Sequence, residues 1–228
     1  MNTLPSSKAL PHLDARLSAA AAFVRPGSVA ADIGCDHGKL SAWLAGSGRC
    51  PLVFACDLRE GPLAKARATC APWGDRVRFR LGAGLSVLQP GQVQDIVIAG
   101  MGAQTILEIL DDAPWVRDPA YNLVLVPATK HSVLRRGLVR RGFALQAERL
   151  CRAAGRWYAV MNARYAGTPA EPDGLFCLCG RVEGQPGADE YRAQQMGKLK
   201  KYRRGLPDGP EAAGVDALLK EMEAGRWP

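Results

Sequence analysis

Acidic side chains and glycines stand where the buried strands of this sequence are expected to end. The apolar run over residues 29–33 contains Asp32 and opens into a turn at Gly34, and Asp57 closes the next apolar run. A strand that stops at a glycine leaves backbone N–H groups facing outward, and a helical pattern that begins at Lys39 adds a helix N-terminus beside them. These residue types and their spacing predict a site that receives a nucleotide-like ligand.

Two further features indicate a nucleoside in this site. An acidic side chain in the position of Asp57 can accept hydrogen bonds from both hydroxyls of a ribose. A third apolar run, residues 96–99, is followed by Gly100 and Gly102, where the backbone can approach a flat ligand closely. We expect the ends of these three runs to meet around one nucleoside.

The residues between Gly34 and Gly38 discriminate between nucleoside cofactors. Enzymes that bind dinucleotides use Gly-x-Gly-x-x-Gly, so that a pyrophosphate can sit on the helix. Here Cys35, Asp36 and His37 fill the gap, and the carboxylate of Asp36 would repel a pyrophosphate. S-adenosylmethionine has no phosphate and carries a sulfonium and an ammonium group, which nearby carboxylates attract. Charge therefore favours S-adenosylmethionine over NAD.

The elements that must position these residues alternate between strands and helices. Strand patterns occur near residues 28–34, 52–57, 77–81, 95–100 and 121–127, with helical patterns between them near residues 39–46, 60–71, 103–111 and 132–141. This alternation predicts βα units and a parallel sheet. A helix is expected earlier, over residues 13–23. Residues 143–150 and 157–163 should form an antiparallel hairpin, because only a short link joins them.

A segment rich in proline and glycine, residues 166–175, indicates a boundary in the chain. We therefore expect two units, a first domain over residues 1–165 that contains the predicted S-adenosylmethionine site and a small C-terminal part over residues 166–228. The C-terminal part is predicted to contain one edge strand and two helices, at residues 175–182, 188–204 and 211–224.

Length, composition and cysteine usage are typical of a globular cytoplasmic protein. The chain has 228 residues, 47% of them hydrophobic, and can bury a sizeable core. It lacks a run of roughly 20 apolar residues that would span a membrane, and residues 1–11 lack the basic start and apolar run of a secretory signal. Seven scattered cysteines predict free thiols. Cys177 and Cys179 have no second ligand pair, so we expect no metal site.

Positive charge is concentrated in two segments. The net charge is +8, and residues 130–156 contain eight Lys or Arg against the single acid Glu148. A second run lies on the predicted helix over residues 188–204 and consists of Lys198, Lys200, Lys201, Arg203 and Arg204. Such runs attract polyanions, and Tyr202 could stack on a base. The alternative is that both runs solvate exposed helix faces, but two runs beside one cofactor site favour RNA as the partner.

Four segments carry a combined pattern: Ala-Asp-Ile-Gly-Cys-Asp-His-Gly over residues 31–38, Asp57 with Glu60-Gly-Pro, Gly-Ala-Gly-Leu over residues 82–85, and Ile-Ala-Gly-Met-Gly over residues 98–102. Together they resemble the bacterial tRNA adenine-N1 methyltransferases of the TrmK type, over residues 13–163. The resemblance implies a Rossmann-like class I methyltransferase fold, with a seven-stranded, mostly parallel sheet whose last strand is antiparallel. It also implies S-adenosylmethionine as donor, a helical C-terminal part, and an adenine in the D-arm region of tRNA as target.

The strand ends and the resemblance together assign candidate site residues. Those for the cofactor are Asp32, Gly34, Cys35, His37, Asp57, Leu58, Gly82, Ala83, Gly84, Gly100, Met101 and Gly102. Pro127 and Thr129 follow the fifth strand and are expected to line the pocket for the target base. The family commonly has Gln-Pro-Asn there, whereas this chain reads Val-Pro-Ala-Thr over residues 126–129, so an amide able to contact the base is absent. Ala83 likewise stands where the family has a polar residue.

Asp36 is the candidate catalytic residue. Adenine N1 has a lone pair in the ring plane, so its attack on a sulfonium methyl group requires positioning more than proton removal. The methylated base is cationic, and a carboxylate in the turn after the first strand can stabilise that charge as it develops. Other roles remain open: Asp36 could cap the helix after Gly38, and His37 could cap the turn or contact the cofactor. Asp32 either fixes the turn or meets the cofactor's ammonium group.

Three functions are compatible with these features. The motifs, the charge and the resemblance favour a tRNA adenine-N1 methyltransferase, expected to be a monomer. The absence of Gln-Pro-Asn favours a class I methyltransferase that acts on a small molecule or a protein. The third function is a non-catalytic RNA-binding module that retains the methyltransferase fold.

Overall fold

The computed structural model of this protein describes residues 9–228. Residues 1–8, which make up most of the segment for which no secretory signal is expected, lie outside the described residues. The strands are β1 (Ala30–Ile33), β2 (Val53–Asp57), β3 (Val77–Leu81), β4 (Asp95–Ala99), β5 (Asn122–Val126), β6 (Phe143–Ala153) and β7 (Arg156–Tyr165). The α-helices are α1 (Ala15–Phe23), α2 (Lys39–Gly46), α3 (Glu60–Cys70), α4 (Ala103–Asp111), α5 (His131–Arg140), α6 (Gly174–Cys179), α7 (Ala188–Arg204) and α8 (Pro210–Glu223). Within residues 9–228, no helix has both the length and the apolar character needed to cross a membrane.

The strands form one sheet in the order β3-β2-β1-β4-β5-β7-β6. Strands β1 to β5 run parallel, whereas β7 is antiparallel to both β5 and β6. Ala154 and Gly155 close the β6–β7 hairpin with positive φ angles of 47° and 74°, as a two-residue turn between twisted strands requires. The predicted seven-stranded, mostly parallel sheet with an antiparallel last strand is confirmed.

Helices cover both faces of the sheet because alternate residues of a strand point to opposite sides. On one face, Ile33 of β1 shares a core cluster with Ile106 of α4 and Leu134 of α5. On the other face, Ala30 of β1 shares a cluster with Leu44 of α2 and with apolar residues of α1 and α3. Strands β1, β2 and β5 are buried along their whole length, which explains why they appear in the sequence as continuous apolar runs.

Strand β1 lies in the middle of the sheet, between β2 and β4. The chain moves outward from β1 to β3 and then crosses back over β1 to begin β4. In open parallel sheets, ligands bind in the crevice outside the carboxyl ends of the strands where the order reverses in this way. The fold therefore places the crevice beside the turns that follow β1 and β4.

The segment expected to form an edge strand, residues 175–182, is helical instead, and α6 occupies most of it. The Asp173 carboxylate caps this helix by accepting a backbone N–H three residues later at 2.9 Å. Leu175 and Cys179, one helical turn apart, pack with apolar residues of α7 and α8. A short apolar run is compatible with either a strand or a helix, and packing against two other helices selects the helix here. The strand prediction was wrong for this reason.

A buried ion pair fastens the C-terminal helices to the sheet. The guanidinium of Arg135 in α5 lies 2.8 Å from the carboxylate of Glu148 in β6, and neither side chain is more than 1% exposed. Arg135 also donates to the carbonyl oxygens of Cys177 and Leu178 and to the hydroxyl of Tyr191 in α7. One side chain thus joins α5, β6, α6 and α7.

The C-terminal helices also share the apolar core of the sheet. Val182, Ala188 and Tyr191 belong to the same buried cluster as Ile33 of β1, while α6, α7 and α8 form a smaller cluster among themselves. The boundary expected after residue 165 stays a prediction about which part of the chain folds alone.

We predict that Arg135→Met lowers the free energy of unfolding by about 3–5 kcal/mol, because the change leaves Glu148 buried without its partner. Arg136→Met is the matched control on the same helix. Arg136 pairs with the exposed carboxylate of Glu171 at 2.6 Å, and exposed pairs contribute little, so its loss should be far smaller. Urea unfolding followed by circular dichroism measures both variants. Equal losses would contradict the role given to the buried pair.

Candidate active site

A cavity of about 800 Å³ opens at the carboxyl edge of the sheet. Its walls come from the turns after β1, β2, β3 and β4. The predicted residues that line it are Asp32, Gly34, Cys35, Asp36, His37, Asp57, Leu58, Gly82, Ala83, Gly84, Gly100 and Met101. The predicted meeting of three strand ends is confirmed, and Gly102 is the one candidate cofactor residue that does not line this cavity.

The carboxylate of Asp57 is held in position by two backbone N–H groups. Its Oδ2 accepts the N–H of Asp36 at 3.2 Å, and its Oδ1 accepts the N–H of Arg59 at 3.0 Å. The side chain is largely buried yet borders the cavity. A ligand with two adjacent hydroxyls would therefore meet an acceptor that is already oriented.

Asp32 is a buried carboxyl that fastens α2 beneath the cavity. The hydroxyl of Ser41 in α2 donates to its Oδ2 at 2.7 Å. Burial raises the pKa of Asp32 to about 6, the Ser41 hydrogen bond opposes the shift, and the carboxylates of Asp57 and Asp36 add to it. The hydrogen bond links the end of β1 to α2 across the turn, which is the first of the two roles expected for Asp32. Asp32 also borders the cavity.

Asp36 and His37 form an exposed pair at the mouth of the cavity. Asp36 Oδ2 lies 2.7 Å from His37 Nδ1, and Asp36 has a left-handed backbone with φ of 49°. The N-cap of α2 is Gly38, which receives no side-chain cap. The alternative that Asp36 caps this helix is wrong, because its carboxylate bonds the His37 ring and, among the described residues, no backbone N–H of α2. No group of three or more His, Cys, Asp or Glu within residues 9–228 is arranged to hold a metal ion.

Two glycines are required in this site for different reasons. Gly34 has φ of 73°, and a Cβ there would collide with the methyl group of Met101. Gly100 has φ of 83°, and no atom lies within 4 Å of the place its Cβ would take. Positive φ favours glycine at both positions, and the open space at Gly100 allows a ligand to approach the backbone. Cys35, next to Gly34, also lines the cavity. Burial raises the pKa of its thiol, so this side chain stays protonated and uncharged.

Sequence reasoning missed the part of the cavity wall that comes from α1 and α4. These residues are Asp14, Arg16, Leu17, Thr105 and Ile109. The Arg16 guanidinium is held 2.7 Å from the Asp14 carboxylate and 4.9 Å from the centre of the Tyr158 ring. Asp14 is recognisable in the sequence as a helix N-cap, but no local pattern indicates that α1 docks beside the cavity.

The loop after β5, residues 127–130, lies next to the cavity without lining it. Ala128 donates its N–H to the carbonyl of Met101 at 2.8 Å, and Thr129 forms a parallel bridge with Gly102. Thr129 is exposed and Pro127 is buried. The structure thus brings this loop against the turn after β4, and the role of Pro127 and Thr129 in holding a target base stays a prediction.

Much of the charge in the two basic segments is balanced within the protein. On α7, Lys200 pairs with Glu223 at 2.7 Å and Arg203 pairs with Asp216 at 2.9 Å. In the earlier segment, Arg135, Arg136, Arg140 and Arg141 all pair with carboxylates. Lys198, Lys201 and Arg204 make no ion pair with any residue from 9 to 228. The cations available to an outside partner are therefore fewer than the sequence suggested.

A family model described as a methyltransferase domain matches residues 13–161. The tRNA (adenine(22)-N(1))-methyltransferase of Bacillus subtilis (strain 168) is 29% identical over 195 residues, which cover 85% of this chain and 79% of that protein.

Solved structures share the fold over nearly the whole chain. A Streptococcus pneumoniae protein, provisionally described as a tRNA (m1A22) methyltransferase, superposes with a TM-score of 0.80 at 24% identity, covering 93% of this chain and 99% of that one. The TrmK of M. capricolum, solved with S-adenosyl-homocysteine, gives a TM-score of 0.77 at 20% identity over 93% and 97% of the two chains. At these identities the likeness shows the fold, which is the one expected.

We predict that Asp32→Asn changes the dependence of stability on pH. The folded carboxyl has a pKa of about 6, above its usual value of 3.8, so the folded state holds the proton more tightly than the unfolded state. Stability from this group is present below about pH 4 and is lost as the pH rises toward 6. Asparagine keeps the volume and an acceptor for Ser41 but does not ionise.

The free energy of unfolding of Asp32→Asn, relative to the parent, should therefore increase between pH 4 and pH 7, by about 1.4 kcal/mol for each unit of pKa shift. Urea unfolding at both pH values measures the difference. A difference that stays constant over this window would show that Asp32 does not titrate there.

Proposed function

This chain belongs to the methyltransferase domain family, and we propose that it transfers a methyl group from S-adenosylmethionine to N1 of adenine 22 in tRNA. The observation that carries the proposal is the cavity where the fixed Asp57 carboxylate, Asp36 and the open backbone at Gly100 come together. The similarity to the Bacillus subtilis tRNA (adenine(22)-N(1))-methyltransferase over 85% of the chain supports the choice of substrate.

The residues of the cavity fit S-adenosylmethionine better than a dinucleotide. Asp32, Asp36 and Asp57 border the cavity, so it suits a ligand with positive groups and no pyrophosphate. Arg16 and Lys39 also border it and could hold a carboxylate. A volume of about 800 Å³ lies within the range usual for such ligands.

The candidate residues divide the work of holding the cofactor. Asp57 would accept hydrogen bonds from the ribose hydroxyls, and the exposed side chain of Leu58 would cover an apolar part of the nucleoside. Gly34 and Gly100 would allow close approach to the backbone. When bound, S-adenosylmethionine supplies an electrophilic methyl group on a positively charged sulfur.

The chain has little proton chemistry to perform. Adenine N1 attacks with its own lone pair, so the protein must position the base and stabilise the positive charge that it gains. Asp36 is suited to the second task because its carboxylate is exposed at the cavity mouth and is not used as a helix cap. Its bond to His37 orients the carboxylate. The β5–α5 loop with Pro127 and Thr129, next to Met101, would hold the base.

The surface of α7 is proposed to bind tRNA through phosphates. Lys198, Lys200, Lys201, Arg203 and Arg204 were assigned to this role from the sequence, and Lys198, Lys201 and Arg204 have no acidic partner among residues 9–228. Lys198 and Lys201 border a shallow concavity with Tyr202. Backbone recognition of this kind reads charge and shape more than sequence. We place the activity in the cytoplasm and expect a monomer.

We predict that the protein converts adenine to 1-methyladenine at position 22 when incubated with S-adenosylmethionine and tRNA that lacks the modification. Asp36→Asn should slow this transfer on the order of 10²-fold in single turnover at saturating cofactor, because the neutral amide no longer stabilises the developing charge. Asparagine tolerates the left-handed backbone of this position, so the turn should persist. Nucleoside analysis by mass spectrometry, with quenched time points, gives the product and the rate.

Asp112→Asn is the control, since Asp112 is an exposed carboxylate at the end of α4, outside the cavity wall. It should react at the parent rate. Methylation of another molecule but not of tRNA would replace the proposed substrate, and tRNA binding without turnover would support a non-catalytic module. A rate for Asp36→Asn within a few-fold of the parent would remove Asp36 from the chemistry.

We also predict that tRNA affinity falls steeply with salt, and that Lys201→Ala with Arg204→Ala reduces the slope of log K against log salt by about 2, one for each phosphate contact. A double variant of Lys65 and Arg76 to Ala removes the same charge from α3 and from the turn before β3, and it should keep the parent slope. Filter binding of tRNA at several salt concentrations measures the slope for the parent, the α7 variant and the control variant. Parallel slopes for the parent and the α7 variant would show that α7 is only a solvated face.

A further inference from the structure

A buried side chain connects the β5–α5 loop to the C-terminal helices. His131 is the first residue of α5 and follows the loop directly. Its Nδ1 lies 3.1 Å from the hydroxyl of Tyr191 in α7, and the two rings stack with centroids 6.0 Å apart. The backbone of Pro127 in the loop lies close enough to the imidazole to raise its pKa, against the larger effect of burial. His131 thus contacts the loop on one side and α7 on the other.

The protonation of His131 suits this bridging position. Burial and the nearby charges of Arg135 and Lys198 lower the pKa of His131 to about 4, so the ring is neutral near pH 7. A neutral imidazole has one N–H and one acceptor nitrogen. The Tyr191 hydroxyl lies beside Nδ1, so Nδ1 is the acceptor for its proton and Nε2 carries the ring N–H.

Tyr191 is itself held in place by the buried ion pair. Its side chain is fully buried, and its hydroxyl oxygen accepts two N–H groups of Arg135, each at 3.3 Å. With its acceptor capacity used by the guanidinium, the hydroxyl has its proton to donate to His131. The orientation of the histidine therefore depends on α7.

The β5–α5 loop needs such support because its backbone is strained. Lys130 has a left-handed conformation with φ of 58°, although it is not a glycine. Backbone of this kind persists only when its surroundings hold it. On the cavity side, the loop is held by Met101 and Gly102. On the opposite side, the loop continues directly into His131, which is anchored to Tyr191.

We propose that His131 and Tyr191 are positioning residues for the methyl acceptor: the C-terminal helix α7 sets the geometry of the β5–α5 loop through them, in addition to any contact with RNA. This inference rests on the proposed function, in which that loop holds the target base. Neither residue lines the cofactor cavity, so the proposal places the pair on the acceptor side of the reaction.

The test is Tyr191→Phe, which keeps the stacked ring and removes the hydroxyl. Single-turnover methylation of tRNA should slow by about tenfold or more, because small displacements of a reacting group are costly. Affinity for S-adenosylmethionine, measured by calorimetry, should stay within twofold of the parent. Tyr121→Phe is the matched control. Tyr121 is also a buried tyrosine, but its hydroxyl accepts the Gly91 N–H at 2.8 Å near the amino end of β5, and this variant should react at the parent rate.

His131→Phe and the double variant with Tyr191→Phe show whether the two residues act together. If they form one support, the loss in rate for the double variant should match the larger single loss, whereas independent residues give losses that multiply. Three results would each overturn the proposal. The first is a double variant whose losses in rate multiply, and the second is an equal loss in rate for Tyr191→Phe and Tyr121→Phe. The third is a Tyr191→Phe rate within twofold of the parent.

A second measurement does not require turnover. The Ala128 amide donates to Met101, and its hydrogen exchange in Tyr191→Phe should be about tenfold faster than in the parent if the loop loses its support. Tyr121→Phe should leave this rate unchanged. Unchanged exchange in Tyr191→Phe would overturn the proposed support. Faster exchange in a protein that does not methylate tRNA would show that the support exists while the proposed function fails.

Discussion

The reversal of strand order at β1 is the constraint on which the site depends. Because β1 lies between β2 and β4, the turns after β1 and β4 border one crevice, and the turn after β2 lies beside it. Asp32, Asp57 and Gly100 are 25 to 68 positions apart in sequence, yet they border one cavity. Parallel pairing brings the carboxyl ends of all these strands to the same edge, so the turns there can be specialised while the strands remain an ordinary apolar core.

The charges of the protein are arranged differently inside and outside this crevice. The chain carries a net charge of +8, but the cavity is bordered by the carboxyl groups of Asp32, Asp36 and Asp57. A positive exterior attracts a polyanion by long-range forces, whereas carboxylates in the cavity favour a cationic ligand at short range. The two preferences suit a reaction in which a cationic methyl donor meets a nucleic acid.

The buried pair of Arg135 and Glu148 joins the two parts of the molecule. Two charges without solvent are costly to bury, and here the cost is offset by hydrogen bonds from Arg135 to α6 and α7 and by the N–H of Arg181 donated to Glu148 at 2.8 Å. Gly180 allows this arrangement, since a Cβ there would collide with both charged side chains. The C-terminal helices are therefore oriented by polar contacts as well as by apolar packing, and Tyr191 extends these contacts to His131 at the start of α5.

The sequence by itself determined the elements whose signals are local. Helices α2, α4 and α7 begin and end where their patterns indicated. Strands β1 to β5 and β7 lie within two residues of expectation at each end, whereas β6 extends three residues further. The strand ends and the family resemblance together assigned the candidate cofactor residues, and all of them except Gly102 border one cavity. Such predictions succeed because hydrophobic period, turn residues and helix stops depend on residues close together in the chain.

Only the tertiary structure decided the features that depend on docking. Packing against α7 and α8 made α6 a helix, and the position of α1 brought Asp14 and Arg16 to the cavity. The pairing of Lys200 with Glu223 and the contact of His131 with Tyr191 join residues 23 and 60 positions apart. No local pattern carries this information, because the partner of a side chain is set by how whole elements pack, and that packing is settled by the summed burial and pairing of the entire chain.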